Sequence, residues 1–338
     1  MTPSQQERYS RQVRFEGIGE RGQRKLLQSH IAIVGCGALG SFQAEALARA
    51  GLGTLTIIDR DFVEWSNLQR QWLYDEQDAI SGTPKAIAAA RRLSAINSEC
   101  TVHPLNADLH AGNIDDLLSG AHLILDATDN FETRYLLNEY AVRENKPWVY
   151  GAAVGSYGIV MPVLPGATAC LNCLYPTPPG GVQETCETAG VLGSVTATVA
   201  ALQVAVALRL LITGGGQLKR TVIDVWTGDI RTRPTLTPQP GCTVCERSEY
   251  PYLSEERRTP VSLCGRNAVQ IHERQRPLDL ARLSQMLEKL GEVRWNEFAL
   301  RFFSKPYELT VFPDGRAIVK GTTDIGLARS LYAKYIGA

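Results

Sequence analysis

A short apolar run, Ile31-Ala32-Ile33-Val34, opens directly into Gly35-Cys36-Gly37-Ala38-Leu39-Gly40, and an alanine-rich helical segment follows to Ala50. A strand that turns through closely spaced glycines into a helix constrains this chain more than any other feature. Glycines there let the backbone approach a pyrophosphate, and the helix N-terminus adds partial positive charge. Gly51 and Gly53 then punctuate, and a second β-branched run over Thr54–Ile58 ends at Asp59. That acid lies roughly 20 residues past the last glycine, placed to accept hydrogen bonds from ribose hydroxyls. The alternative is a glycine turn packed against helices for its own sake. Together the two features point to a nucleotide, without separating NAD from ATP.

The surrounding pattern fits that turn. Strand-like runs recur at 100–105, 122–125 and 148–154, with helical patterns at 85–96 and 131–145 between them. Alternation of this kind predicts an α/β fold, a Rossmann-like doubly wound and mainly parallel sheet with helices on both faces. Residues 162–190 are rich in Pro, Gly and Thr, and Pro176-Thr177-Pro178-Pro179-Gly180-Gly181 reads as a crossing loop. A long apolar helix follows, then a strand at 220–226 and a second Pro-rich connection at 234–241. From about residue 265 the chain reads as a small α+β unit. It has a helix at 278–290, strands at 297–303 and 308–312, a turn at Pro313-Asp314-Gly315, a strand at 316–320 and a helix at 325–336. A length of 338 residues accommodates both parts, which divide as 1–250 and 265–338.

Composition narrows the partners. With 35 basic and 35 acidic residues the net charge is zero, which argues against a general nucleic-acid or anionic-membrane binder. Residues 190–208 carry no charge, nearly the length of a membrane span, but Ser194, Thr196, Thr198 and Gln203 interrupt them and alanine dominates. A buried core helix is expected there. The first thirty residues hold Arg8, Arg11, Arg14, Arg21 and Arg24 and no apolar core segment, so no secretory leader is read and a reducing cytoplasm is expected.

Charged residues fall where an open parallel sheet gathers its ligand groups. Ser66-Asn67-Leu68-Gln69-Arg70-Gln71 follows Asp59, Lys85 opens a helix after Pro84, and Asp126-Ala127-Thr128-Asp129-Asn130 ends a strand. Two cations can neutralise a triphosphate, and an acid can hold Mg²⁺ through its waters. Singly, Arg70 and Lys85 also read as solvated surface charges, and Asp129 as a helix N-cap before Phe131. Four of the eight cysteines form two CxxC pairs, Cys170/Cys173 and Cys242/Cys245. Two such knuckles supply a closed four-thiolate zinc site, with a redox CxxC as the rival reading of either pair. Cys186 precedes the long helix, whose N-terminus would lower its pKa while Glu184 and Glu187 oppose that. An incidental cysteine and a nucleophile both remain open. Cys36, Cys100 and Cys264 read as packing residues.

These motifs, with Arg8-Tyr9-Ser10-Arg11-Gln12 ahead of them, occur in one order over about residues 5–248. The chain thereby resembles the ThiF/MoeB adenylyltransferases, relatives of the ubiquitin-activating enzymes, and its extension looks like that of ThiF-type proteins from Gram-positive bacteria. The resemblance implies an enzyme that binds ATP and Mg²⁺ and adenylates the C-terminal Gly-Gly carboxylate of a ubiquitin-like sulfur carrier. Gly35, Gly37, Ala38, Gly40, Asp59, Ser66, Asn67, Gln69, Arg70, Lys85, Asp129 and Asn130 would line the nucleotide. Asp59 would hold the ribose, Asn67, Arg70 and Lys85 the phosphates, and Asp129 the Mg²⁺. Arg11 matches an arginine that relatives insert into the neighbouring subunit, which implies a homodimer. Ala38 stands where relatives often have glycine. Cys186 matches a cysteine that some relatives link covalently to the carrier during sulfur transfer and others do without. The carrier is expected to be ThiS-like, for thiazole synthesis in the thiamine pathway, with a MoaD-like carrier of molybdopterin synthesis as the alternative. A cysteine desulfurase or another donor would supply sulfur. An NAD-dependent oxidoreductase and a zinc-clamped interaction protein without activity are the remaining rivals.

Overall fold

Strands β1 (His30–Val34), β2 (Thr54–Ile58), β3 (Thr101–Leu105), β4 (Leu123–Asp126) and β5 (Trp148–Val154) lie parallel in the spatial order 3-2-1-4-5. The chain winds outward from β1 to β3, then returns to the other side of β1, so the order reverses between β1 and β4. Ligands in open α/β sheets bind at such a reversal, outside the carboxyl ends of the strands. In this computed structural model the described residues are 1–177, 189–254, 262–263, 267–271, 277–313 and 315–337. Cys186, Cys264, Asp314 and the Pro178-Pro179-Gly180-Gly181 part of the expected loop lie outside them. The chain divides into two units, Met1–Glu256 and Arg257–Ala338.

Three further strands extend the first sheet in antiparallel fashion: β6 (Tyr157–Val163), β7 (Lys219–Asp224) and β8 (Asp229–Pro234). The expected crossing loop therefore begins later than residue 162, because 157–163 folds back on β5 as a hairpin around Gly155-Ser156. Pro162 is tolerated because β7 pairs only with residues 157–160, so the missing N–H falls beyond the second ladder. Beside this sheet lie α1 (Pro3–Arg8), α2 (Ser10–Val13), α3 (Gly19–Leu27), α4 (Ala38–Arg49), α5 (Glu76–Ser81) and α6 (Lys85–Ile96). After them come α7 (Ile114–Leu118), α8 (Phe131–Arg143), α9 (Leu171–Leu174) and α10 (Gly193–Thr213).

Alternation along the buried strands sorts side chains to two faces. Ile31, Ile33, Leu123 and Leu125 join Leu47, Leu93, Val199 and Ala207 from α4, α6 and α10. Ala32, Val34 and Ile124 join Ile114, Leu118 and Leu137 from α7 and α8, with Trp148. Each large side chain so buried contributes on the order of 1.5–3 kcal/mol. By length and composition alone α10 could cross a membrane. Here Val195, Val199, Ala200, Ala207 and Leu210 pack into the core, and buried Gln203 donates from Nε2 to Asp126 O (2.8 Å) and Val149 O (3.0 Å). Those two carbonyls sit where the β4–β5 ladder, only two residue pairs long, runs out.

Among the described residues, the second unit is a six-stranded antiparallel sheet packed with two helices. Its elements are β9 (Ser262–Leu263), β10 (Ala268–Ile271), α11 (Leu280–Leu287), β11 (Glu292–Trp295), β12 (Leu300–Ser304), β13 (Tyr307–Val311), β14 (Ala317–Lys320) and α12 (Ile325–Tyr335). Leu280, Leu283 and Leu287 of α11 share a core with Phe302, Leu309, Val319 and Leu331. The helical periodicity over 278–290 overstates α11, because Asp279 caps its start and the helix ends at Leu287.

Candidate functional site

The glycine turn stands at the reversal between β1 and β4. Gly35 takes a positive φ of +90°, and a Cβ on it would lie 2.6 Å from Ala127 O. A Cβ on Gly40 would lie 2.0 Å from Gly35 O. Both positions are glycine because the chain packs on itself. Gly37 differs: its φ is −81°, and a Cβ there would meet nothing nearer than Gln71 Nε2 at 3.8 Å. As the N-cap of α4 it brings no side chain to the first-turn amides, which begin at Ala38.

Asp59, buried at the end of β2, holds this turn in place. Its Oδ2 accepts from Cys36 N at 2.6 Å and its Oδ1 from Asp61 N at 2.7 Å. Burial raises its carboxyl pKa, and the nearby Lys85 ammonium opposes that rise. The residue expected to face ribose thus also pins the glycine loop, and each oxygen keeps a second lone pair for a ligand. Lys85 opens α6 and is 6 % exposed, so it is no solvated surface charge. Its N–H donates to Asp61 O at 2.9 Å and its Nζ pairs with Asp61 Oδ2 at 3.3 Å. Arg60 continues the row, 3.9 Å from Asp61 and 2.6 Å from Asp108. Asp61 was not among the expected residues, although an acid two positions after Asp59 was there to be read.

The 66–71 segment turns through a 3-10 helix over Trp65–Asn67. Buried Asn67 shapes it, its Oδ1 accepting from Glu64 N at 3.1 Å and its Nδ2 donating to Ser66 Oγ at 3.4 Å. Arg70, half-buried, donates from Nη1 to Ser66 O at 2.8 Å, while Ser66 and Gln69 are exposed. The first residue of α10 packs here, since a Cβ on Gly193 would stand 3.2 Å from Gln69 O. Gln71 is buried, and its Oε1 has no hydrogen-bond partner.

Across the turn, Asp126 ends β4 fully buried. Its Oδ1 accepts from Thr128 N (2.9 Å) and Thr128 Oγ1 (2.7 Å), its Oδ2 from Arg134 Nε (3.2 Å). Arg134, also buried, donates from Nη2 to Thr128 O (2.6 Å) and Gly151 O (3.3 Å). This brace was missed in the sequence because Arg134 lies inside a helix with an ordinary pattern. Asp129 is exposed, and the cap before Phe131 is Asn130, whose Oδ1 accepts from Thr133 N at 2.8 Å. The N-cap alternative for Asp129 is therefore corrected. Its carboxylate is not spent on capping α8.

The N-terminal pentapeptide divides its labour. Tyr9 is buried and its hydroxyl accepts from Asn97 Nδ2 at 3.0 Å; Arg8 donates to Asn97 Oδ1. Gln12 Nε2 bonds Gln23 Oε1 (2.7 Å) and Ala50 O (2.8 Å). Arg11 is exposed and makes no ion pair among the described residues.

Away from the glycine turn, the two CxxC pairs meet. The Sγ atoms of Cys170, Cys173, Cys242 and Cys245 all lie within 4.8 Å of one another. Cys170–Cys173, Cys170–Cys242 and Cys173–Cys245 separations are 3.8, 3.7 and 3.4 Å. None is a disulfide. A tetrahedron with Zn–S bonds of about 2.3 Å has edges of about 3.8 Å, so the thiol set fits a four-coordinate dication. Gln239 N donates to Cys173 Sγ at 3.4 Å, and Asn138 Oδ1 holds Leu171 N at 2.8 Å, fixing the turn between the first two cysteines. Cys36 and Cys100 are buried packing residues, as expected.

The sequence profile described as the ThiF family matches residues 9–244. The sulfur carrier protein ThiS adenylyltransferase of Bacillus subtilis (strain 168) is 44% identical over 334 residues, covering 98% of this chain and 99% of that protein. The sulfur carrier protein adenylyltransferase of Thermus thermophilus is 37% identical over 252 residues, covering 72% and 92%. Among solved structures, E. coli MccB with ATP superposes with a TM-score of 0.61 at 26% identity, over 70% of this chain and 74% of that one.

Proposed function

The chain belongs to the ThiF family, and from that premise we propose that it is an ATP-dependent adenylyltransferase for a ThiS-like sulfur carrier in thiazole synthesis. The observation that carries this reading is a likeness to a ThiS adenylyltransferase running through both units of the chain. The carrier's C-terminal carboxylate oxygen attacks the α-phosphorus of ATP. A bond forms between that oxygen and phosphorus, the bond to the β-phosphate oxygen breaks, and pyrophosphate leaves with its electron pair. The product is an acyl-adenylate, open to attack by a sulfur nucleophile.

Attack of one anion on another is slowed by repulsion, so catalysis rests on positioning and electrostatics. Arg70 and buried Lys85 lower the cost of gathering phosphates at the sheet's carboxyl edge. Asn67 gives the Arg70 turn its shape, and Asp59 holds the glycine loop while receiving the ribose. Asp129 offers an exposed carboxylate, a hard oxygen donor that suits Mg²⁺, and a bound Mg²⁺ would neutralise phosphate charge. We assign zinc to the four cysteines as a structural ion, since four protein thiolates leave no open coordination position. Arg11 reaches the partner's site in a homodimer, which accounts for a pentapeptide whose other long side chains are tied down. Cys186 acts after adenylation, in sulfur transfer.

Carrier-dependent exchange between ATP and labelled pyrophosphate tests the proposal. Exchange with a ThiS-like Gly-Gly carrier is expected. Exchange with a MoaD-like carrier alone would move the enzyme to the molybdopterin pathway, and no exchange with either would refute the reading.

A further inference from the structure

Three glycines shape the turn after β1, and at only two of them would a Cβ strike the chain's own backbone. Gly35 and Gly40 would strike backbone oxygens if they carried a Cβ, whereas Gly37 has an ordinary φ and open space above its Cα. That space is bordered by one side-chain amide, Gln71, whose Nε2 lies 3.8 Å from where the Gly37 Cβ would stand. Gln71 is 5 % exposed, and its other amide atom, Oε1, is sealed from water with no hydrogen-bond partner. Buried polar atoms are ordinarily paired, and leaving one unpaired destabilises the fold. Whichever way the amide is turned, one heteroatom is stranded and the other borders the space over Gly37. An apolar side chain of similar length would suit the free protein better. A glutamine held there at a cost to the fold is explained by what enters the adjoining space.

We infer that Gln71 is a phosphate-binding residue of the nucleotide site, donating its amide N–H to a phosphoryl oxygen seated over Gly37. The first-turn amides of α4, which begin next to Gly37, have no side-chain cap, and a helix N-terminus favours an anion. The inference rests on the nucleotide reading and adds to it a residue that senses phosphate rather than base or ribose. Gln71 sits beside Arg70 in sequence but differs in kind. It is neutral and buried, so it selects by geometry where Arg70 attracts by charge.

Calorimetric titration of the zinc-loaded full chain with ATP and with adenosine, for wild type, Gln71→Met and Gln71→Glu, tests this. Gln71→Met keeps length and removes the donor, so ATP affinity falls about tenfold while adenosine affinity is unchanged. Its melting temperature without ligand rises, because the stranded oxygen is gone; a merely structural glutamine would lower it. Gln71→Glu weakens ATP further by placing an anion against the phosphate. ATP affinity within twofold of wild type in folded Gln71→Met overturns the inference and leaves the nucleotide reading standing. Equal losses for ATP and adenosine overturn the phosphate assignment. Wild-type protein that binds no ATP overturns the inference and the nucleotide reading together.

Discussion

Arg70 and Asp129 both follow elements that end near the glycine turn, Arg70 half-buried three residues after the 3-10 helix and Asp129 exposed three residues after β4. Neither carries the fold. The turn is shaped by Asn67, and the strand end is braced by the Asp126–Arg134 pair. Arg70→Ala and Asp129→Ala are therefore expected to fold normally, with melting temperatures near wild type. Each loses about 10²–10³ in carrier-dependent pyrophosphate exchange, the size of effect seen when one charge-stabilising donor is removed. Wild-type exchange in either folded variant contradicts their assigned roles. Thiols behave oppositely. Burial pushes Cys36 up to about 12 and Cys100 up to about 11, so both stay neutral at pH 8 and shielded from reagents. Peptide mapping after iodoacetamide treatment of native protein should find them unmodified, and modification at either would contradict the packing described.

At the scale of elements, the parallel half of the sheet was legible because each buried strand is a short β-branched or aliphatic run and each helix repeats with its own period. The antiparallel half was not. Strands β5 and β6 form one nearly unbroken apolar stretch with only Gly155-Ser156 as punctuation, and β8 is exposed along its length, so no burial pattern marks it. Charges were read by type but not by tie. Lys85 was found, while the Asp61 that holds it and the Arg134 under Asp126 depend on contacts between elements far apart in sequence. The cysteine pairs could be read from spacing, and what they join is α9 and the 242–245 segment. Zinc is expected at one ion per chain by mass spectrometry of metals. Cys173→Ser should lose the ion and lower the melting temperature, while metal-replete Cys100→Ser keeps it. Full metal content in the first variant would contradict a four-thiolate site.

Over the whole molecule, the expected nucleotide and metal residues all lie within Met1–Glu256, and the second unit owns a separate core. A chain ending at Glu256 is expected to fold, keep its metal and bind ATP with wild-type affinity; an unfolded product would contradict two self-sufficient cores. The homodimer proposal has its own signature. Arg11→Ala and Arg70→Ala, each strongly impaired alone, should regain exchange activity when co-expressed, because a mixed dimer contains one site with both arginines. Continued inactivity of verified mixed dimers would place Arg11 outside the partner's site. The central claim, that the crevice between β1 and β4 joins a carrier's terminal carboxylate to AMP, is tested most directly by intact mass. Zinc-loaded enzyme, ATP, Mg²⁺ and a ThiS-like carrier ending in Gly-Gly are mixed and the carrier is weighed. A gain equal to one adenylyl group, formed about 10²–10³ times more slowly with Asp129→Ala, is the predicted result; an unchanged carrier mass from enzyme that binds ATP would contradict the account.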